Sequence, residues 1–322
     1  MRIGVYEGLN GPITYERALA AAVEAEEAGF DSFWLTNIFA LDALTAFAGI
    51  GPQTRRIELG TNVIPIQTRH PMVMAQQARS TTVFTGPRLT LGVGLSHKFL
   101  IEGVFGLSFE HRAKAMREYL EVLQPLLAGE AVRHRGALHK VTGQITIADG
   151  VAPPVLVAAM GPKMLAVAGA LSDGTFLGWA GPTTIREHVR PVISEAAAAA
   201  GRPAPRIGTT LPVCVTDDPA GARALAGKLF KVYSDVPSYR TILDRDGKPP
   251  WPRPASSILA RTAPRRPGRP GRRRRRLRRR RVRRQPGGPG SGPWPCSPRR
   301  GRSGASRPSA MAAPEGIQRA CR

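Results

Sequence analysis

Leu89-Thr90-Leu91-Gly92-Val93-Gly94-Leu95-Ser96-His97 is the stretch on which the fold turns. Its first six residues read as a strand, and the polar pair Ser96-His97 stands where that strand ends. The next regular segment is a helix, because Met116, Tyr119, Leu120, Leu123 and Leu127 fall on one stripe at the α-helical period. The strand-then-helix unit repeats on both sides. Upstream, Ile3–Tyr6, Ser32–Leu35 and Ile57–Val63 read as strands. The helices between them begin at Thr14, a good N-cap, and run through Leu41–Leu44; the next begins at Pro71, where a missing N–H costs nothing. Downstream, 154–159, 174–179 and 206–214 read as strands, and the last helix spans Pro219–Val232. Residues 131–152 interrupt the alternation and read as a hairpin or irregular insertion. Seven strands alternating with helices predict a parallel sheet with right-handed crossovers. The expected fold is an α/β, TIM (β/α)8-type barrel that lacks its eighth βα unit. A doubly wound sheet is the alternative, weakened because no GxGxxG follows the first strand.

Charge divides the chain at Gly247. Up to that residue 24 Lys and Arg side chains face 22 Asp and Glu, whereas residues 248–322 hold 23 basic groups and one acidic group, Glu315. The domain division is therefore 1–247, a barrel, and 248–322, a tail rich in Arg, Pro and Gly. The tail has five Leu, Ile and Val residues and no Phe or Tyr, too little to build a core, so it is expected to be disordered. Its runs Arg272–Arg276 and Arg278–Arg281 suit a nucleic-acid-binding arm working through phosphate neutralisation. They equally suit a GC-rich gene read out of frame, and the frameshift is the preferred reading. In that case the chain as written is expected to be impaired, with two unpaired sheet edges. No signal peptide or apolar span precedes the first strand, and Cys214, Cys296 and Cys321 form no CxxC pair. These features predict a cytoplasmic protein with no membrane contact, no disulfide framework and no metal site.

Several segments together carry a family resemblance: Ala25-Glu26-Glu27-Ala28-Gly29-Phe30-Asp31-Ser32, Arg56-Ile57-Glu58-Leu59-Gly60-Thr61, Arg69-His70-Pro71, Gly92–His97 and Arg117-Glu118-Tyr119-Leu120. The chain resembles the bacterial luciferase-like monooxygenase superfamily, and within it the coenzyme F420-dependent oxidoreductases (LLM class) of actinobacteria. Val157-Ala158-Ala159-Met160-Gly161-Pro162 is similar to that branch's cofactor loop. The resemblance implies a TIM barrel with the cofactor across its C-terminal mouth, a small-molecule substrate, hydride transfer and a homodimer. Coenzyme F420 is the implied cofactor, with flavin mononucleotide (FMN) as the alternative. The competing non-enzymatic reading is a barrel carrying the nucleic-acid arm.

In a barrel the groups at strand C-terminal ends face the site. Thr61-Asn62-Val63 ends the third strand, where the family often places a bulge and a non-prolyl cis peptide; these three residues are cofactor-binding candidates. Ser96 is another, and the imidazole of His97 is placed to bond a cofactor or substrate oxygen or to carry a proton. Ala158, Ala159, Met160, Gly161, Pro162 and Lys163 join the fifth strand to a helix whose N-terminal N–H groups favour an anion. Asn37 ends the second strand and is the second catalytic candidate. Some relatives place an Asp-His pair there, and Thr36-Asn37 has no ionisable group, so that pair's mechanism does not transfer. Glu7 and Trp179 also stand at strand ends. His134 and His139 lie in the insertion without ligands to complete a metal site.

Overall fold

The structure, a computed structural model, describes residues 1–8, 13–234 and 236–247. The expectations for residues 248–322 lie outside the described residues. The first half contains β1 (Gly4–Glu7), α1 (Tyr15–Glu27), β2 (Ser32–Leu35), α2 (Ala43–Ile50), β3 (Glu58–Thr61), β4 (Ile64–Pro65), α3 (Pro71–Thr85) and β5 (Leu89–Gly94). The second contains α4 (Lys98–Ile101), α5 (Arg112–Ala128), β6 (Val132–Arg135), β7 (Lys140–Gly143), β8 (Val155–Val157), α6 (Pro162–Leu171), β9 (Gly174–Gly178), α7 (Pro182–Thr184), α8 (Arg190–Ala199) and β10 (Arg206–Thr210). Three helices follow: α9 (Pro219–Leu229), α10 (Lys231–Ser234) and α11 (Pro237–Arg245).

The strands pair in parallel in the order β1-β2-β3-β5-β8-β9-β10, with β4 continuing beside β5. This is the expected parallel sheet, curled nearly into a TIM-type barrel. Among the described residues β1 and β10 do not pair, and a seam lies between them. Both strands are only partly buried, whereas β2, β3, β5 and β8 are buried along their length. The segment 131–152 contains the predicted hairpin, β6 against β7. Helix α2 starts two residues later than Leu41 suggested, because the Asp42 carboxylate caps it by accepting the Thr45 N–H. Strand β10 stops at Thr210, before Pro212, which has no N–H to give a ladder. The last predicted helix is broken at Phe230 into α9 and α10. Among the described residues no helix is long and apolar enough to cross a membrane.

Strand side chains alternate between the outer layer and the barrel interior. Phe33, Leu35, Leu59, Leu91, Val93, Val155, Val157 and Leu177 point outward and are buried under the helices. The inward set makes three layers. At the base the buried Glu58 carboxylate pairs with Arg206 at 2.5 Å and with Arg2 at 2.5 Å, and accepts from the Thr90 hydroxyl. The middle layer is Trp34, Leu156 and Phe176, with the Trp34 and Phe176 rings 4.6 Å apart. Gly60 makes room for them, since a Cβ there would lie 2.2 Å from the Trp34 ring. The top layer is Tyr6, Asn62, Gly178 and Thr210, which open to the C-terminal mouth.

Helix α5 is tied to the hairpin by Glu118, whose carboxylate accepts the backbone N–H groups of Ala137, Leu138 and His139 at 2.7–3.1 Å. Burial alone would raise this carboxyl; the three N–H donors outweigh it and hold it below the usual carboxylate range. Glu118→Ala leaves those donors without their acceptor and is expected to cost about 2 kcal/mol. A thermal melt checks this: Tm should fall by roughly 4–8 °C.

Candidate active site

The C-terminal ends of the strands surround a cavity of about 1790 Å³. Its walls include Tyr6 from β1, Asn62 and Val63 after β3, Leu95, Ser96 and His97 after β5, Ala158 after β8, and Phe176 and Gly178 from β9. The third strand is bulged, as expected. Gly60 pairs with Thr90 and Ile64 with Val93, so β3–β4 carries one more residue than β5 between those points. The Asn62–Val63 peptide in that bulge is cis. The Asn62 carbonyl accepts from the Tyr6 hydroxyl at 3.2 Å, and its side-chain amide donates to the Thr210 hydroxyl at 3.0 Å, across the barrel mouth.

Of the candidates read from the sequence, Asn62, Val63, Ser96, His97, Ala158, Met160, Gly161, Pro162 and Lys163 line this cavity together. Thr61 and Ala159 do not, and strand alternation gives the reason. Each is one residue out of phase with the inward set. The Thr61 hydroxyl bonds the Gly92 carbonyl at 2.8 Å, and the Ala159 carbonyl accepts from Thr175. Asn37 caps instead: its side-chain oxygen accepts the Ala43 N–H at 2.8 Å, and it faces a second cavity of about 250 Å³. The Arg69-His70-Pro71 motif starts α3, with His70 Nδ1 accepting the Met72 N–H and Pro71 at the first helical position.

Three tyrosines that line the cavity are not among the candidates read from the sequence. Tyr6 lies within β1 and not at its end. Tyr233 and Tyr239 come from α10 and α11, which reach the mouth from the chain's far end, so no strand-end rule points to them. They pack around Trp179, with ring centroids 5.1 Å and 6.3 Å from it. Ser96, His111 and Trp179 have φ of +58°, +49° and +68°. They are the non-glycine residues with left-handed backbone among those described, and all three line the cavity. Such conformations persist where packing enforces them and cluster at functional sites.

The electrostatics are divided. Burial holds the His97 imidazole below its ordinary range, so it is neutral at pH 7. Burial pushes the Tyr6 phenol up to about 12 and raises those of Tyr233 and Tyr239. The ring cluster is thus uncharged. The charged residues of the lining are mostly cationic: Arg112, Lys114, Lys163, Arg245 and Lys98, the last paired with Glu102 at 3.6 Å, with Glu110 as the other acid. Helix α6 presents its first turn here, with Gly161 opening onto free space. An apolar floor beside a basic wall and a helix N-terminus suits a planar ring bearing an anionic side chain.

An α/β barrel with its cavity at the strand C-termini is an architecture shared by many enzymes. Comparison with known proteins narrows it. The description of the luciferase-like monooxygenase family matches residues 2–282, and the chain belongs to that family. It is 31% identical over 191 residues to a Mycobacterium tuberculosis protein whose name places it among coenzyme F420-dependent oxidoreductases, spanning 54% of each chain. The chain thus spans about half the length of that relative. It is 33% identical over 223 residues to the F420-dependent glucose-6-phosphate dehydrogenase of Beutenbergia cavernae, covering 64% of this chain and 66% of that one. The solved structure of the coenzyme F420-dependent tetrahydromethanopterin reductase of Methanopyrus kandleri superposes with a TM-score of 0.66 at 23% identity, over 76% of this chain and 75% of that one; this likeness is one of fold.

The lowered His97 has a consequence for pH. A histidine that resists protonation in the fold contributes stability that is fully present above the unfolded value, about 6.5, and is lost as pH falls from there through the lower folded value. The NMR titration of the His97 ring, assigned with His97→Gln, should have its midpoint below 6.5. A midpoint at or above that value would mean a solvated or carboxylate-paired ring.

Proposed function

We propose that this chain is a deazaflavin-dependent oxidoreductase, transferring a hydride between coenzyme F420 and a small organic molecule at the C-terminal mouth. The observation that carries the reading is the pairing, in one cavity, of an uncharged floor with a basic wall. It is supported by the two relatives named for coenzyme F420. When bound, the deazaflavin supplies the two-electron hydride chemistry.

The chain's own residues would divide the remaining work. Val63, Leu95 and Ala158 give the ring an apolar bed that excludes water. Lys163 and the first turn of α6 attract the phosphate and the anionic tail. His97, neutral at pH 7, accepts or returns the proton that accompanies hydride movement at a substrate oxygen or carbon. Asn62, anchored to Tyr6 and Thr210, fixes the backbone on which the ring would rest.

A titration of the full chain with oxidised F420 and, separately, with FMN tests the assignment. F420 should bind saturably and at least about tenfold more tightly than FMN, and Lys163→Ala should weaken F420 by several-fold, with the loss shrinking at high salt. Tighter binding of FMN would instead identify a flavin enzyme.

A further inference from the structure

The loop from Ala158 to Gly161, between β8 and α6, stands between the cavity and His188. Met160 and Gly161 line the cavity, and His188 does not. His188 belongs to a π-helical turn, Ile185–Val189, set between α7 and α8. Turns of this kind are rare and recur at functional sites. The His188 Nε2 lies 3.2 Å from the Met160 carbonyl oxygen. A carbonyl only accepts, so Nε2 carries the proton and donates. Burial, with the nearby Arg245 cation, holds this imidazole below its ordinary range, so at pH 7 the ring is neutral and Nδ1 is bare. The turn is itself held in place. The Asp246 carboxylate, just beyond α11, accepts the N–H groups of Gly181 at 2.6 Å and Thr184 at 3.0 Å. A Cβ on Gly181 would lie 2.8 Å from that carboxylate, so the bare glycine admits it.

In a planar trans peptide the C=O and the N–H point in opposite directions. The Met160 carbonyl is drawn back to His188, so the Gly161 N–H of the same peptide points the other way, toward the cavity. The preceding peptide is tied less firmly. The Thr175 hydroxyl lies 2.8 Å from the Val157 carbonyl and 3.3 Å from that of Ala159, and its single proton serves chiefly the nearer one. Among the described residues no hydrogen bond engages the N–H of Met160 or of Gly161. A Cβ on Gly161 would meet nothing within 4 Å, so the space before this N–H is open. Lys163 and Arg245 line the same cavity.

We infer that His188 is a positioning residue of the cofactor site: from behind the loop it sets the Met160–Gly161 peptide so that its N–H is offered to an anionic group in the mouth. His188 touches neither cofactor nor substrate in this role. Without its donor the Met160 carbonyl is free to turn toward the cavity, where its oxygen would oppose an anion in place of the N–H. That the anionic group is a cofactor phosphate rests on the reading proposed above. The phosphate is common to coenzyme F420 and FMN, so the role of His188 does not depend on which of the two is bound.

Two variants of the full chain test this. His188→Phe keeps a ring without a donor, and His188→Gln keeps an N–H near the place of Nε2. Each is titrated with F420 and with the same deazaflavin lacking the phosphate and tail. His188→Phe should weaken F420 about three- to tenfold, the effect of one hydrogen bond, and leave the phosphate-free compound within about twofold of wild type. His188→Gln should recover F420 binding to within about twofold of wild type. Unchanged F420 affinity in His188→Phe would overturn the proposal. Equal losses in the two variants, or parallel loss of both compounds, would also overturn it, by making His188 a packing residue. FMN and riboflavin form a second pair that differs in the phosphate. A chain that refuses F420 but shows the same pattern with that pair would sink the deazaflavin reading and leave His188 in its role. Refusal of both pairs would overturn both.

Discussion

The carboxylate of Glu58 holds the two sides of the seam in register from inside the barrel. Arg2 enters just before β1 and Arg206 opens β10, and both reach the same buried acid. Among the described residues these two strands share no ladder, so the connection runs through side chains across the interior. Burying the acid is costly, and Arg206 with the Thr90 hydroxyl on Oε1 and the half-exposed Arg2 on Oε2 offset the cost. Losing one arginine would leave the buried acid with a single counter-charge. At the other end of the barrel the Asn62–Thr210 bond repeats the span in neutral form. Between these braces Trp34 and Phe176 fill the interior, and the Arg206 guanidinium lies 5.5 Å over the Trp34 ring. The ladder with β9 positions β10, and these contacts tie its other side across the seam to the β1 side.

That framework explains why the mouth divides by charge. The inward positions at the top of the strands are Tyr6, Asn62, Gly178 and Thr210, all uncharged. The cations come from loops and helix starts outside the strand cylinder, Arg112 and Lys114 at the start of α5 and Lys163 at the start of α6. Ring chemistry and anion binding are therefore placed on different parts of the fold. Burial favours the neutral form of His97, and the phenols, protonated at neutral pH in any case, are pushed further from ionisation, so the ring floor carries no net charge.

Much of this was legible in the sequence. The strands were, because apolar runs such as Leu89–Gly94 and Val155–Val157 are bounded by clear helix starts at Pro71 and Pro162. The bulge after β3 was legible through family resemblance, not through local propensity. Contiguous motifs misled where strand alternation should have been applied: Asn62 and Ala158 reach the cavity, whereas their neighbours Thr61 and Ala159 face away. Asn37 stands at a strand end, and its side chain accepts the first N–H of α2, that of Ala43 six residues on, which has no partner within the helix. Tyr233 and Tyr239 were illegible for a different reason. They act at a distance in sequence, and only the fold brings α10 and α11 over β9.

The most direct measurement is a crystal structure of the full chain soaked with coenzyme F420. The account predicts ring density bedded on Val63 and Ala158 beside His97, with the anionic tail running past Lys163 along the start of α6. A ring bound away from the strand C-termini, or an empty mouth at saturating cofactor, would contradict it.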